Sequence, residues 1–371
     1  MKNVIIINHD PLIKRIKDGF CIDYLIEHDV KVQYLDLSNF YFPNLKVSYQ
    51  CNEEYVVKLD TEKQILDYLK TIDISNTIFI CEALPNWKSR NIYRFLSDHN
   101  ALVIKISIYA LSSFSKRSLF SKIKLLKPKD LFQVIRFKLY KKIHRVKIWD
   151  TIISSNKDIK SKWRINHPDY EYFLQTVNVN PSDDYIVFLD ECFPTHPEIK
   201  YWFGEDLSFL ADSYHKSLTD LFDYLEDTFK KEVIVCAHPK SSYKGNEFGT
   251  HKIVKGETAR YVRQSYFTMM HVSSSSTYAV LNNKPIFILT SPEYKKNIKS
   301  ILTLQKEFAE AYGLEIKDIN TWRPKQNDIQ PLVPEIREAF ISNFLTDPKN
   351  EGALNGEIIY KILCELSQKE Q

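Results

Sequence analysis

The feature that most limits what this chain can become is a rhythm of short, unbroken apolar runs set between longer amphipathic stretches. "NVIIIN" at 3–8 precedes a helical pattern near 11–28, and "VKVQYLDL" at 30–37 reads as a strand. A helical stretch at 61–72, "NTIFICEAL" at 76–84, a helix near 86–99, "ALVIKIS" at 101–107 and "WDTIISS" at 149–155 continue the series. Runs that do not alternate are buried on both faces, as parallel strands are when helices cover each side. The pattern predicts an α/β chain built from Rossmann-like units.

The rhythm breaks at the turn-rich "VNVNPSDD", 177–184, and then restarts. "YIVFLDE" at 185–191 opens a second unit, a long helix is expected at 212–230, and "EVIVCAH" at 232–238 is the next strand. "TARYVRQSYFTMMHVSSSST" holds a helix, a short strand and a loop, and "KPIFILTS" at 284–291 precedes a helix at 293–312. The tail at 332–368 reads as one or two more helices. A length of 371 residues exceeds what one core usually supports. We therefore expect a Rossmann-like domain at 1–178, a second at 179–330 and C-terminal helices at 331–371, with the two domains facing a cleft.

Composition removes several function classes. Only eight glycines are present, and neither GxGxxG nor GxxxxGK(S/T) occurs, against an NAD-dependent dehydrogenase or a P-loop ATPase. The six cysteines are scattered without a CxxC pair, which fits a reducing, cytoplasmic compartment and no structural zinc. The apolar run before Asn8 is too short for a signal-peptide core. No run approaches the roughly eighteen apolar residues of a spanning helix.

The net charge of +4 conceals a strong local bias. Residues 116–147 contain twelve Lys or Arg and one acid, Asp130. Leu131, Ile135, Leu139 and Ile143 fall on one helical stripe among them. Such a segment suits the interface of an anionic membrane, and would hold the chain on the inner face of the cytoplasmic membrane. A stripe packed on its own domain is the alternative. Nucleic acid is not expected, because no recognition module accompanies the charge.

Ligands of open α/β sheets collect at the carboxyl ends of the strands. In the second unit those ends carry Asp190 and Glu191, then His238, Pro239 and Lys240, then Ser273, Ser274, Ser275, Ser276 and Thr277. A hydroxyl-rich helix start suits a phosphate, and His238 and Lys240 would add cationic or hydrogen-bonding contacts. Pro239 fixes φ at the strand exit and restricts the histidine. His196, in "THPEI", could line the same site. In the first unit, His9, Asp10 and Glu82 end strands and are candidates for the acceptor side.

"LDE" at 189–191, "HPK" at 238–240 and "SSSST" at 273–277 resemble, in order, the acidic, HP and SS motifs of bacterial capsule and lipooligosaccharide sialyltransferases and the related Kdo transferases. The likeness covers about 185–291, and "FLDECFPTHPEI" and "AVLNNKPIFILTS" also look like proteins of surface-polysaccharide gene clusters. One departure is Cys192, which stands where the sialyltransferase motif ends in glycine. The resemblance implies a GT-B fold and a CMP-activated keto-sugar donor, Kdo or a sialic or nonulosonic acid. It further implies a polysaccharide, lipopolysaccharide or other glycolipid acceptor and no bound cofactor. Metal-independent transfer is expected, since protein cations can stabilise the departing phosphate.

Asp190 is expected as general base or as nucleophile, Glu191 as its partner, and Glu82 as a rival base. An NDP-sugar-dependent GT-B transferase and a non-catalytic binding protein of the same fold are the competing readings.

Overall fold

In the computed structural model, which describes residues 3–43, 51–108, 128–176, 178–196, 206–297 and 299–368, the chain forms two compact units. One is Met1–Pro168 with Thr346–Gln371, and the other is Asp169–Leu345.

The first unit holds β1 (Asn3–Asn8), β2 (Val32–Asp36), β3 (Val56–Lys58), β4 (Thr77–Glu82), β5 (Leu102–Ser107) and β6 (Thr151–Ser154). They form one parallel sheet in the order β3-β2-β1-β4-β5-β6. The sequence of β1 explains its place at the centre. Val4 and Ile6 pack into one layer with Ile22, Leu25, Ile359 and Leu363. Ile5 and Ile7 pack into the other with Ile65, Leu69, Ile92 and Leu96. An alternating strand would have placed polar groups in one of these layers.

The second unit holds β7 (Tyr185–Leu189), β8 (Glu232–Cys236), β9 (Lys252–Val254), β10 (Ser265–Met270), β11 (Ile286–Thr290) and β12 (Ile316–Asp318). This sheet is also parallel, in the order β12-β11-β10-β7-β8-β9. The chain winds outward from β7 through β8 to β9, then crosses back to lay β10 on the opposite flank of β7. That reversal is the topological switch point, and it puts three loops side by side.

Two features differ from the sequence expectation. The helix near 11–28 is two short helices, Lys14–Gly19 and Ile22–Glu27, separated by Cys21 with a left-handed φ of 51°. The segment 331–371 does not form a layer of its own. Pro334–Phe340 belongs to the second unit, whereas the helix Asn355–Gln368 returns to the first sheet with Ile358, Ile359, Ile362, Leu363 and Leu366. Buried polar groups fix this return. The Asn166 amide N–H donates to Asn355 Oδ1 at 2.7 Å, and Asn355 Nδ2 donates to the Asn166 carbonyl at 2.9 Å. Gly356 lies flat on the Tyr24 ring, where a Cβ would come within 2.6 Å.

Residues 128–143 of the basic segment form a helix, Pro128–Ile143, and 116–127 lie outside the described residues. The helix is anchored through Phe137 and Tyr140 in the first unit's core and by Arg136 stacked 3.5 Å from the Trp87 ring. Of the expected stripe, Ile135, Leu139 and Ile143 face outward at 47, 55 and 73% exposure, joined by Phe132 at 62%, and the Leu131 side chain lies outside the described ones. Among the described residues no helix is long and apolar enough to cross a membrane.

Candidate functional site

The three motifs of the second unit meet because β7 lies between β8 and β10. Strand β7 ends at Leu189, and Asp190 continues it by donating its amide N–H to the Cys236 carbonyl at 3.1 Å. The next two residues turn the chain sharply. Cys192 has φ 43° and ψ 39°, the left-handed region in which glycine is the usual occupant. A glycine at this position would adopt the same backbone conformation without strain.

The two acids occupy different environments. Asp190 is 3% exposed. Its Oδ1 accepts from the Tyr214 hydroxyl, and its Oδ2 accepts from the Tyr243 hydroxyl at 2.7 Å. Burial pushes its pKa up to about 6, while the two phenols and the Cys192 amide oppose that shift. Burial beside the carboxylate pushes both phenols far up, so both stay protonated donors. Glu191 Oε2 instead points towards His238, 4.0 Å from Nε2. Burial pushes Glu191 up to about 8, with the Asp190 charge adding to the rise and a hydrogen bond from Ser273 opposing it. Asp190, expected as the reacting base or nucleophile, is held by this geometry from two sides. Both its oxygens are engaged inside the protein, because the long helix and the loop after β8 each supply a tyrosine.

His238, Pro239 and Lys240 form a turn closed by the Ser241 amide on the His238 carbonyl, 2.9 Å, with proline at its second position. The Lys240 amide donates to His238 Nδ1 at 3.2 Å. With Nδ1 accepting from that amide, Nε2 is left as the ring's donor on the side of Glu191. The His196 ring lies 4.7 Å from the His238 ring and joins the same cluster. Pro239 and Lys240 are exposed at the rim.

The hydroxyl-rich loop is less open than its sequence suggests. Ser276 Oγ donates to the Ser273 carbonyl and shares a 2.8 Å bond with the Tyr312 hydroxyl, and Thr277 Oγ1 donates to Asp169 and the Ser274 carbonyl. Both residues, expected as phosphate donors, are fully buried, and their side chains lock the loop. The amides of Ser275 to Tyr278 also bond within the turn. Ser274 and Ser275 keep their side chains at the surface, and Ser273 faces Glu191.

In the first unit, the three acceptor-side candidates come together at the ends of the paired strands β1 and β4. His9 Nδ1 donates to the Glu82 carbonyl at 2.5 Å, and its Nε2 is 3.6 Å from Asp10 Oδ2. Glu82 Oε1 accepts from the Ile106 amide at 3.0 Å, and Oε2 is 3.5 Å from Lys105 Nζ. Burial raises Glu82 to about 7, against the pull of Lys105.

Sequence reasoning missed Tyr214 and Tyr243. Tyr214 sits at an ordinary buried position of the helix Ala211–Phe229, and Tyr243 sits in a polar loop. Nothing in their spacing connects them to Asp190.

No protein-family model matches the chain, and no curated protein matches it. Solved structures do match along its whole length. CalG4, the calicheamicin glycosyltransferase, aligns with a TM-score of 0.52 at 9% identity over 100% of both chains. The fold is GT-B. The glycotransferase of kitacinnamycin gives a TM-score of 0.54 at 10% identity over 99% of both chains. The wall teichoic acid polymerase TagF gives 0.52 at 14% identity, over 98% of this chain and 90% of that one. At these identities the likeness establishes the GT-B architecture of two parallel-sheet units. Chemistry has to be argued from the side chains.

Proposed function

We propose that the chain is a glycosyltransferase that moves a keto-sugar acid, Kdo or a nonulosonic acid, from a CMP-linked donor to a polysaccharide or glycolipid acceptor. The observation that carries this reading is the junction of Glu191, His238 and Ser273 at three adjacent strand ends. It is the place where an α/β sheet holds its ligand. A fixed imidazole N–H, a neighbouring lysine and two surface serines form one compact set of donors, matched to the single phosphate of a nucleoside monophosphate. His9, Asp10 and Glu82 are the proposed acceptor-side groups. The structurally similar proteins, two glycosyl-transferring enzymes and a wall-polymer polymerase, agree with the class of chemistry.

The charged group on the breaking bond is a phosphate, and in this reading protein donors stabilise it without a metal. The exposed row Phe132, Ile135, Leu139 and Ile143, set among Arg136, Lys138, Lys142 and Arg145, supports contact with an anionic membrane surface. Calorimetric titration with CMP, UDP and GDP tests the donor. CMP should bind more tightly than either diphosphate, in buffer containing excess EDTA. UDP or GDP binding as well as CMP would replace this reading with an NDP-sugar transferase. Binding without transfer to any acceptor would favour a non-catalytic binding protein.

A further inference from the structure

The two adjacent acids at the end of β7 have unequal surroundings, and the difference assigns them separate tasks. Asp190 is enclosed, and every oxygen lone pair that faces a donor is directed at Tyr214, Tyr243 or the Cys192 amide. Glu191 has its side chain 23% exposed, one Ser273 hydroxyl as donor and the His238 ring beside it. We infer that Glu191 is the proton donor of the reaction, while Asp190 is a positioning residue whose tyrosine-held charge keeps that proton in place. The assignment rests on the proposed nucleotide-sugar reading for its substrate, though not for its proton chemistry.

The physical basis is that burial disfavours the charged form of both carboxyls, and a charge already on one adds to the cost of ionising the other. The one with more donors takes the charge, which is Asp190. The other keeps its proton, which is Glu191. Among the described residues, the titratable and charged groups beside Glu191 are Asp190 on its own strand end, His238 from the loop after β8 and His196, whose ring is tilted 59° to that of His238. Lys255 is near enough to act on the Cys192 thiol. As the bond between the anomeric carbon and the phosphate oxygen breaks, its electron pair stays on that oxygen, which takes the Glu191 proton. The acceptor hydroxyl oxygen bonds the anomeric carbon, and the proton it releases returns to Glu191 through solvent.

The test reads the proton directly and then reads its use. In protein labelled with ¹³C at the glutamate carboxyls, the Glu191 resonance is the one lost in Glu191→Gln. It should titrate near pH 8 and move to lower pH in Asp190→Asn, where the neighbouring charge is gone. A midpoint in the ordinary glutamate range, about 4.3, overturns the assignment even if no donor is ever turned over. With a CMP-linked keto-sugar, CMP release should decline above pH 8, fall about 100-fold or more in Glu191→Gln, and lose its alkaline limb at lower pH in Asp190→Asn. A purely structural Asp190 would lower the rate at all pH values without moving that limb. Should Asp190→Asn fail to fold, Tyr243→Phe removes one of the two phenol donors and should shift the limb the same way. A folded Glu191→Gln protein that binds CMP and keeps turnover within about threefold also overturns the assignment, and leaves the donor reading intact. A wild-type protein whose Glu191 titrates near 8 but which binds no CMP would reject the donor and support the proton assignment.

Discussion

His238 Nε2 lies 4.0 Å from Glu191 Oε2, and the opposite nitrogen of the same ring is held by the Lys240 amide. The imidazole is thus fixed from behind, and its N–H can be shared with an incoming anion without the ring turning.

Removing that ring should weaken nucleotide binding. We expect His238→Ala to reduce CMP affinity by about 1.5–3 kcal/mol, the range for a lost charge-assisted bond. Lys240→Ala, which deletes an exposed charge, should have an effect of about 1 kcal/mol or less. Calorimetry at constant salt checks both, and unchanged affinity in His238→Ala would remove His238 from the nucleotide site.

Stability should fall as pH rises from about 6.5 to 8. Glu82, at about 7, and Glu191, at about 8, have folded pKa values above their unfolded ones, so the native state binds more protons in this window. Their contribution is complete below the unfolded values and is lost as pH climbs through the folded ones. His271 acts in the opposite sense, since burial lowers it to about 4 and acid must charge it on unfolding; its effect is confined to pH below about 6.5. Melting curves should show a declining temperature over that interval, with a shallower slope in Glu82→Gln. A flat profile in the wild type would contradict the burial of these acids.

The basic helix separates anchoring from surface contact. Leu139→Asp or Ile143→Asp should leave the melting temperature unchanged and reduce co-sedimentation with acidic liposomes. Phe137→Ala should instead destabilise the fold by about 3–5 kcal/mol, because that ring is buried. Binding should weaken as salt rises, since charges are screened beyond about 8 Å near physiological ionic strength. Liposome binding by the Leu139→Asp and Ile143→Asp proteins equal to wild type would show that the exposed row is not the contact.

The turn after the acidic pair predicts a backbone rule. Cys192→Gly should fold normally, because the gain from relieving a left-handed L-residue, about 1–2 kcal/mol, offsets the loss of a small buried side chain. Cys192→Val should be clearly less stable, since a β-branched residue is strained at this φ. Denaturant titration compares them, and equal midpoints would mean the turn can rearrange.

How much of this was legible beforehand depended on how local the signal was. The long buried strands declare themselves through runs such as "IVFL" and "VIVC", which cannot be placed on a surface. The edge strands β3, β9 and β12 have three residues each, too few for any period to register. Strand order is invisible locally, because placing β10 beside β7 requires a crossover that no neighbouring residue encodes. The motifs marked three strand ends that lie side by side, yet they could not show which hydroxyls turn inward. Ser276 meets Tyr312 and Thr277 meets Asp169 only after distant segments pack. Asp190 drew attention as a strand-end acid, and its two tyrosines arrive from 24 and 53 residues away.

The return of Thr346–Gln371 to the first unit sets the order in which the polypeptide can be completed. During synthesis Asp169–Leu345 emerges as one contiguous piece, able to close its sheet while the nascent N-terminal half still lacks a covering helix. Val4, Ile6 and Ile78 receive the packing partners Ile359 and Leu363 only when residues 355–368 leave the ribosome. A stop codon or bulky fusion near residue 350 would therefore act on the half of the protein made first.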